Sequence, residues 1–151
     1  MKIKLPFNYQ LKIKKNYRSL KNIMPIGSDC HPAYMVSKLE LRKESLPFDW
    51  LDTKPLHALS YAQKNITERF SFFLKDLKKN EAEKVFADKY PHALFYHFDD
   101  LIDNKQLQNK IEQRINRFLK LYDSDACYFL HTLTSSCIQS SEDLDYKAIH
   151  L

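Results

Sequence analysis

Glycine is almost missing from this chain, which has a single one, Gly27, among its 151 residues. This scarcity excludes the glycine-rich loops that cradle phosphates, and neither GxGxxG nor GxxxxGK occurs. It also argues against a sandwich or barrel rich in tight turns, because many such turns depend on glycine. With 44% hydrophobic and 28% charged residues, the composition is that of an ordinary globular domain.

Cysteine and long apolar runs are also scarce. The three cysteines, Cys30, Cys127 and Cys137, are an odd number without a CxxC pair, so neither a disulfide framework nor a zinc signature is expected. No apolar run approaches the roughly 18 residues that span a bilayer, and the N-terminus lacks the apolar core of a signal peptide. We therefore expect a cytoplasmic protein with reduced thiols, no membrane span, no metal and no cofactor.

Acidic residues are absent from the first 22 positions, which carry seven basic ones: Lys2, Lys4, Lys12, Lys14, Lys15, Arg18 and Lys21. The rest of the chain has 17 basic and 19 acidic side chains, so the net charge of +5 comes from the N-terminus. We interpret residues 1–22 as a basic arm in which 2–5 and 10–13 are predicted to pair as strands. No nucleic-acid-binding motif follows, so we expect no nucleic-acid partner.

From residue 23 onwards, short apolar strands alternate with amphipathic helices. Strands are predicted at 23–26, 93–98 and 126–132, and helices at 32–41, 55–77, 81–86, 105–122 and from 142 onwards. This order predicts a single α/β domain over residues 23–151, with two or three layers and a short parallel or mixed sheet flanked by helices. If 93–98 and 126–131 pair in parallel, His97 and His131 flank one cleft.

One cysteine lies at a predicted strand-to-helix junction. Ser28 and Asp29 are favourable capping residues before a helix, and Pro32 suits a first helical turn. Cys30 therefore lies at a helix N-terminus, where unpaired N–H groups stabilise a thiolate. The alternative is that Cys30 is a small buried residue that closes a turn.

An acid lies between two large aromatic residues, Phe48 and Trp50, in the loop after that helix. Isolated burial of a charge is unfavourable, so we expect Asp49 to pair with Arg42. The alternative is that Asp49 orients a catalytic histidine.

Six short segments together resemble a bacterial family named putative papain-like cysteine peptidases, a domain of unknown function. They are IGSDCHPA at 26–33, LR at 41–42, LPFDW at 46–50, YHFD at 96–99, RINRFL at 114–119 and CYFL at 127–130. Members commonly have an arginine where this chain has His131, and they continue beyond the equivalent of Leu151. The resemblance therefore implies a shortened member that lacks the C-terminal part of the family.

The resemblance implies thiol-mediated acyl transfer on a peptide, amide or thioester. Cys30 is then the nucleophile and His97 the base, because His97 lies in the matching histidine element. Asp99 or Asp49 would orient the base, His131 is a competing base, and Ser28 and Asp29 would support the nucleophile.

Two other interpretations stay open. The chain is a non-catalytic module that binds a sugar or nucleotide-linked ligand, accessory to cell-surface polysaccharide metabolism, or it is an inactive remnant. For the binding module the important residues would be Arg42, Trp50, Arg114 and Arg117, together with Asp49, and Cys30 would be structural.

Overall fold

The computed structural model describes residues 2–4, 10–12, 19–124 and 127–132. The strands are β1 (Lys2–Lys4), β2 (Gln10–Lys12), β3 (Asn22–Pro25), β4 (Asp52–Thr53), β5 (Leu77–Lys79), β6 (Val85–Ala87), β7 (Ala93–Leu94) and β8 (Cys127–Leu130). The helices are α1 (His31–Lys38), α2 (Ala58–Thr67) and α3 (Lys105–Asp123), and a 3-10 turn covers Pro55–His57. Cys137, His150 and the helix predicted from residue 142 lie outside the described residues.

A small parallel sheet forms the part of the fold that leads into α1. Strands β3 and β8 run parallel, with Asn22 opposite Cys127 and Pro25 opposite Leu130. Beyond the last pair, the N–H group of Ile26 donates to the carbonyl of Leu130 at 2.8 Å. The strands predicted at 23–26 and 126–132 are present as β3 and β8, although β8 is only partly buried and its Tyr128 is exposed. Strands β1 and β2 pair antiparallel, which confirms the predicted pairing in the basic arm.

A second sheet, with four antiparallel strands in the order β4-β7-β6-β5, is separate from the parallel one. The predicted strand at 93–98 is therefore only Ala93–Leu94, and it pairs with β4 and β6 rather than with β8. The parallel arrangement that would place His97 and His131 at the ends of adjacent strands is absent from the described residues. The fold is still the mixed α/β class that was predicted, with short parallel and antiparallel sheets flanked by helices.

The helix predicted at 81–86 is wrong, because residues 77–87 form a β-hairpin. In its turn, the side-chain oxygen of Asn80 accepts hydrogen bonds from the N–H groups of Ala82 and Lys84. Glu83 adopts a left-handed φ of 57°. An asparagine that binds nearby backbone donors favours a turn over a helix.

The predicted helix at 55–77 is correct only in its first half. Helix α2 ends at Thr67, and Arg69 and Phe70 follow with left-handed φ angles of 51° and 59°. The apolar spacing continues past this end because Phe70 and Phe73 still enter the core. Periodicity alone therefore does not reveal where the helix stops.

Helix α3 agrees closely with the prediction at 105–122. Its first turn is capped by Asn104, whose side chain accepts a hydrogen bond from the N–H group of Leu107 at 3.0 Å. Ile111, Ile115 and Phe118 form its buried face. Within the described ranges, none of the helices is long and apolar enough to cross a membrane.

The centre of the core is aromatic. The ring of Phe48 lies 5.4 Å from those of Phe70 and Phe118, 6.0 Å from Phe73 and 6.1 Å from Tyr61, measured between centroids. The loop that carries Phe48, Asp49 and Trp50 is thus anchored at the junction of α2, α3 and the turn after α2. This anchor fixes the position of Trp50 at the edge of the core.

Candidate functional site

The loop between β3 and α1 presents Cys30 immediately before the first residue of the helix. Pro32 occupies the first turn, as predicted, and the Cys30 thiol is partly buried. A Cβ atom on Gly27 would lie 2.8 Å from Cγ of Pro32, so the chain can pack this closely only with glycine there. Cys30 directly precedes α1, and the N-terminal end of a helix favours negative charge.

Two neighbours of Cys30 bind each other across it. Asp29 accepts a hydrogen bond from the backbone N–H of His31 at 2.8 Å, and its other oxygen lies 2.9 Å from Nδ1 of His31. One N–H group at the start of α1 is therefore already occupied by this carboxylate. Ser28 ties the loop to the second sheet, because its carbonyl accepts a hydrogen bond from the N–H of Thr53 at 2.7 Å.

His131 lies beside the start of the same loop. Its Nδ1 atom is 2.9 Å from the carbonyl oxygen of Ile26 and 3.7 Å from the position that a Cβ on Gly27 would occupy. A carbonyl oxygen only accepts hydrogen bonds, so Nδ1 carries the proton and, in the neutral ring, Nε2 has the lone pair. This orientation is compatible with the role of competing base.

His97 lies in the turn after β7 and is exposed. Its ring packs edge-on against Trp50, 5.8 Å away, and against Tyr96, 5.4 Å away. His97 therefore lies in a small group of aromatic rings, with Trp50 and Tyr96, at the edge of the core.

A further acid, Asp52 in β4, is influenced by the charges of both His97 and the cysteine loop. Burial raises the pKa of Asp52, the negative charge of Asp29 raises it further, and His97 opposes this rise. Asp52 therefore lies within electrostatic range of Asp29 and His97. Its only signal in the sequence is its place two residues after Trp50, in a segment that the sequence predicts to be a loop.

The two acids predicted to orient a base have other partners. Asp99 is bonded to Nζ of Lys84 at 2.7 Å at the surface. Asp49 is buried, and one of its oxygens accepts from Arg42 at 2.5 Å and from the N–H of Leu46 at 2.8 Å. Burial raises the pKa of Asp49, and these two bonds oppose the rise. The predicted pairing of Asp49 with Arg42 is confirmed.

The predicted binding residues lie close to this buried pair. The guanidinium of Arg42 lies 5.6 Å from the centroid of the Trp50 ring. Arg117 donates to the carbonyl of Ser45 at 2.9 Å, and its Nε lies 3.2 Å from a carboxylate oxygen of Glu44. Arg114 lies over Phe98, 5.7 Å from its ring centroid. Among the residues described, no group of three or more His, Cys, Asp or Glu side chains is arranged to hold a metal ion.

Residues 21–145 match the family model described as "Putative papain-like cysteine peptidase (DUF1796)". The chain belongs to this family. The match includes Cys30, Asp52, His97 and His131, and so covers the whole of the candidate site.

A relative of this family member is viral. "Uncharacterized protein R408" of Acanthamoeba polyphaga mimivirus is 28% identical over 123 residues, which cover 66% of this chain and 55% of the viral protein. The chain thus spans about half the length of that curated relative, and a bacterial origin does not follow from the family. No solved structure matches the chain.

Proposed function

We propose that this chain is a thiol-dependent hydrolase of acyl compounds, with Cys30 as nucleophile and His97 as base. The observation that carries the proposal is the hydrogen bond from Thr53 to Ser28, which ties the cysteine loop to the strand that carries Asp52. The charges of Asp29, in that loop, and of His97 both act on the Asp52 carboxylate, which supports the proposal. A reducing compartment suits such a thiol, and we retain the cytoplasm as the proposed location.

The reaction proceeds through a covalent thioester. The Cys30 thiolate attacks the acyl carbonyl, a C–S bond forms, and the bond to the leaving nitrogen or sulfur breaks as the His97 imidazolium gives that atom a proton. His97 then takes a proton from water, whose oxygen attacks the thioester. The products are the acid and the regenerated thiol.

The start of α1 supports the negative charges that arise during the reaction. Its N-terminal end stabilises the thiolate. For the oxyanion the choice of donors is narrow, because Pro32 has no N–H group and that of His31 binds Asp29. The backbone N–H groups of Cys30 and Ala33 are therefore our candidates for the oxyanion site.

We assign the orienting role to Asp52 in preference to Asp99 and Asp49. Asp99 is engaged by Lys84, and Asp49 by Arg42 and the backbone of Leu46. A negative charge close to His97 stabilises the imidazolium that forms when the histidine accepts a proton. His131 is the alternative base, positioned by the carbonyl of Ile26.

The test is the rate at which iodoacetamide alkylates Cys30, in protein whose Cys127 and Cys137 are replaced by serine. If a thiolate–imidazolium pair exists, alkylation at about pH 6 is at least about tenfold faster than in the urea-denatured chain. We expect His97→Ala to remove most of this advantage and Asp52→Asn to reduce it. Mass spectrometry of the alkylated peptide identifies the site.

His57→Ala is the matched control, because His57 is also an exposed histidine but its ring packs against His92, 4.7 Å away. In this variant, Cys30 should be alkylated at the same rate as in the parent protein. Equal rates for folded and denatured protein would contradict the hydrolase and favour the binding module. A loss of the advantage in His131→Ala but not in His97→Ala would transfer the role of base to His131.

A further inference from the structure

Two arginines, Arg42 and Arg114, act on one buried carboxylate, Asp49, and the charge of a third, Arg117, acts on Arg114. Arg42 binds Asp49 directly, and Arg117 is engaged by Ser45 and Glu44. Arg114 is close enough for the charges of Asp49, Arg117 and Arg42 to influence it. Positive charge therefore exceeds negative charge in this group.

Arg114 is the member of the group without a polar partner. Within the ranges that the structure describes, its guanidinium donates no hydrogen bond and forms no ion pair, although it is half-buried. Burial lowers its pKa, Asp49 opposes this effect, and Arg117 and Arg42 add to it. A guanidinium has five N–H donors. Those of Arg114 are not sealed from solvent, so an anion can reach them.

A continuous series of contacts connects Arg114 with the aromatic residues at the site. Arg114 lies over Phe98, which follows His97 in the chain. His97 packs on Trp50, and Arg42 lies over Trp50. Arg42 binds Asp49, whose charge acts in turn on Arg114, so the series closes on itself. Arg114 is therefore linked to His97 and Trp50 through Phe98, the residue after His97.

We propose that Arg114 binds a carboxylate group of the acyl substrate, which lies against Trp50 and His97 while its carbonyl reaches Cys30. This specificity rests on the proposed function. The planar guanidinium matches a carboxylate with two parallel hydrogen bonds. Asp29, next to Cys30 in the chain, and Asp52, within electrostatic range of Asp29, repel a carboxylate, and this repulsion directs the charged end of the substrate towards Arg114.

The first test measures binding without catalysis, by titration of the protein with succinate at constant ionic strength. Trp50 is the only tryptophan of the chain, so its fluorescence reports on this place alone. We expect a saturable change with succinate and none with the neutral analogue succinamide. In Arg114→Gln the affinity should fall at least tenfold.

Arg69→Gln is the control, because Arg69 forms an exposed ion pair with Asp123 instead. It should bind succinate like the unaltered protein. Circular dichroism establishes that Arg114→Gln is folded, and Arg114→Lys, which keeps the charge but loses the planar donors, takes its place if it is not. No saturable change with succinate, or the same affinity in the Arg114 variant, would overturn the proposal.

A second measurement separates this inference from the hydrolase itself. The rates of hydrolysis of mono-p-nitrophenyl succinate and p-nitrophenyl pentanoate give a preference for the charged ester, which we expect to fall at least tenfold in Arg114→Gln. An unchanged preference would overturn the specificity and leave the hydrolase. Succinate binding that depends on Arg114, in a protein that cleaves neither ester, would retain the anion site and refute the hydrolase.

Discussion

At the scale of single residues, the pair of Arg42 and Asp49 contributes to holding the loop that carries Trp50. The Asp49 side chain is fully buried, whereas that of Arg42 is 22% exposed and also lies over the Trp50 ring. Loss of Arg42 would leave a carboxylate in the core with only one donor, the N–H of Leu46. The pair is thus a structural requirement for the site rather than a part of the chemistry.

We expect Arg42→Met to lower the free energy of unfolding by about 2–4 kcal/mol near pH 7, because it strands a buried charge. Loss of the Arg42 guanidinium also raises the pKa of Asp49 further above the ordinary value of 3.8, because in the unaltered protein Arg42 opposes the effect of burial. The folded variant then holds a proton on Asp49 more tightly than the unfolded chain does. Its deficit is therefore full at neutral pH and shrinks as the pH falls through the folded pKa. Urea unfolding at pH 7 and about pH 4.5 measures this change.

The double variant Arg42→Met/Asp49→Asn is the control for this prediction. This variant has neither charge of the pair. The loss in its free energy of unfolding, relative to the unaltered protein, should therefore not become smaller when the pH is lowered. A deficit in Arg42→Met that stays constant between the two pH values would contradict the assigned role of Asp49.

Of the residues proposed for the site, Asp52 was the least visible in the sequence. Cys30 was proposed because its neighbours form a local helix start, and the pairing of Arg42 with Asp49, which the structure contains, was predicted because a buried acid needs a partner. Asp52 approaches His97 only when β4 pairs with β7, which brings Asp52 opposite Leu94. Such pairing between distant segments leaves no periodic signal in either segment.

At the scale of elements, predictions that rest on local properties of a segment are correct, and those that depend on pairing with distant segments are wrong. Helix α3 was predicted because its apolar face and its Asn104 cap are local properties. The hairpin at 77–87 was mistaken for a helix because β6 acquires its strand character from its neighbours β5 and β7. The end of α2 was missed because two residues with left-handed backbone close it in a chain that has no glycine there.

The turn of that hairpin allows a direct test of backbone strain. Glu83 has a φ of 57°, a conformation that costs most residues about 1–2 kcal/mol and glycine almost nothing. We expect Glu83→Gly to raise the free energy of unfolding by about 0.5–1 kcal/mol in urea denaturation, after the greater entropy of glycine in the unfolded chain is allowed for. Both substitutions remove the exposed ion pair in which Nζ of Lys79 lies 3.1 Å from Glu83. Glu83→Ala keeps the strain, so it should give no gain. A gain of equal size with alanine would show that strain is not the cause.

At the scale of the whole molecule, one aromatic side chain joins the site to the core. Phe48 contacts rings from α2, from the turn after it and from α3, and it lies two residues before Trp50. Trp50 in turn positions His97. The site therefore depends on the packing of the entire described core rather than on a separate local scaffold.

This dependence predicts that the site and the fold are lost together. Phe48→Ala should lower the free energy of unfolding by about 3–5 kcal/mol, because it leaves a cavity among four rings, and Phe48→Leu by only about 1 kcal/mol. In all three proteins, urea transitions followed by Trp50 fluorescence and by far-ultraviolet circular dichroism should coincide, since a single core supports both signals. An earlier transition in fluorescence would mean that the Trp50 loop unfolds independently. In that case Arg42 and Asp49, rather than Phe48, would be what holds the site in place.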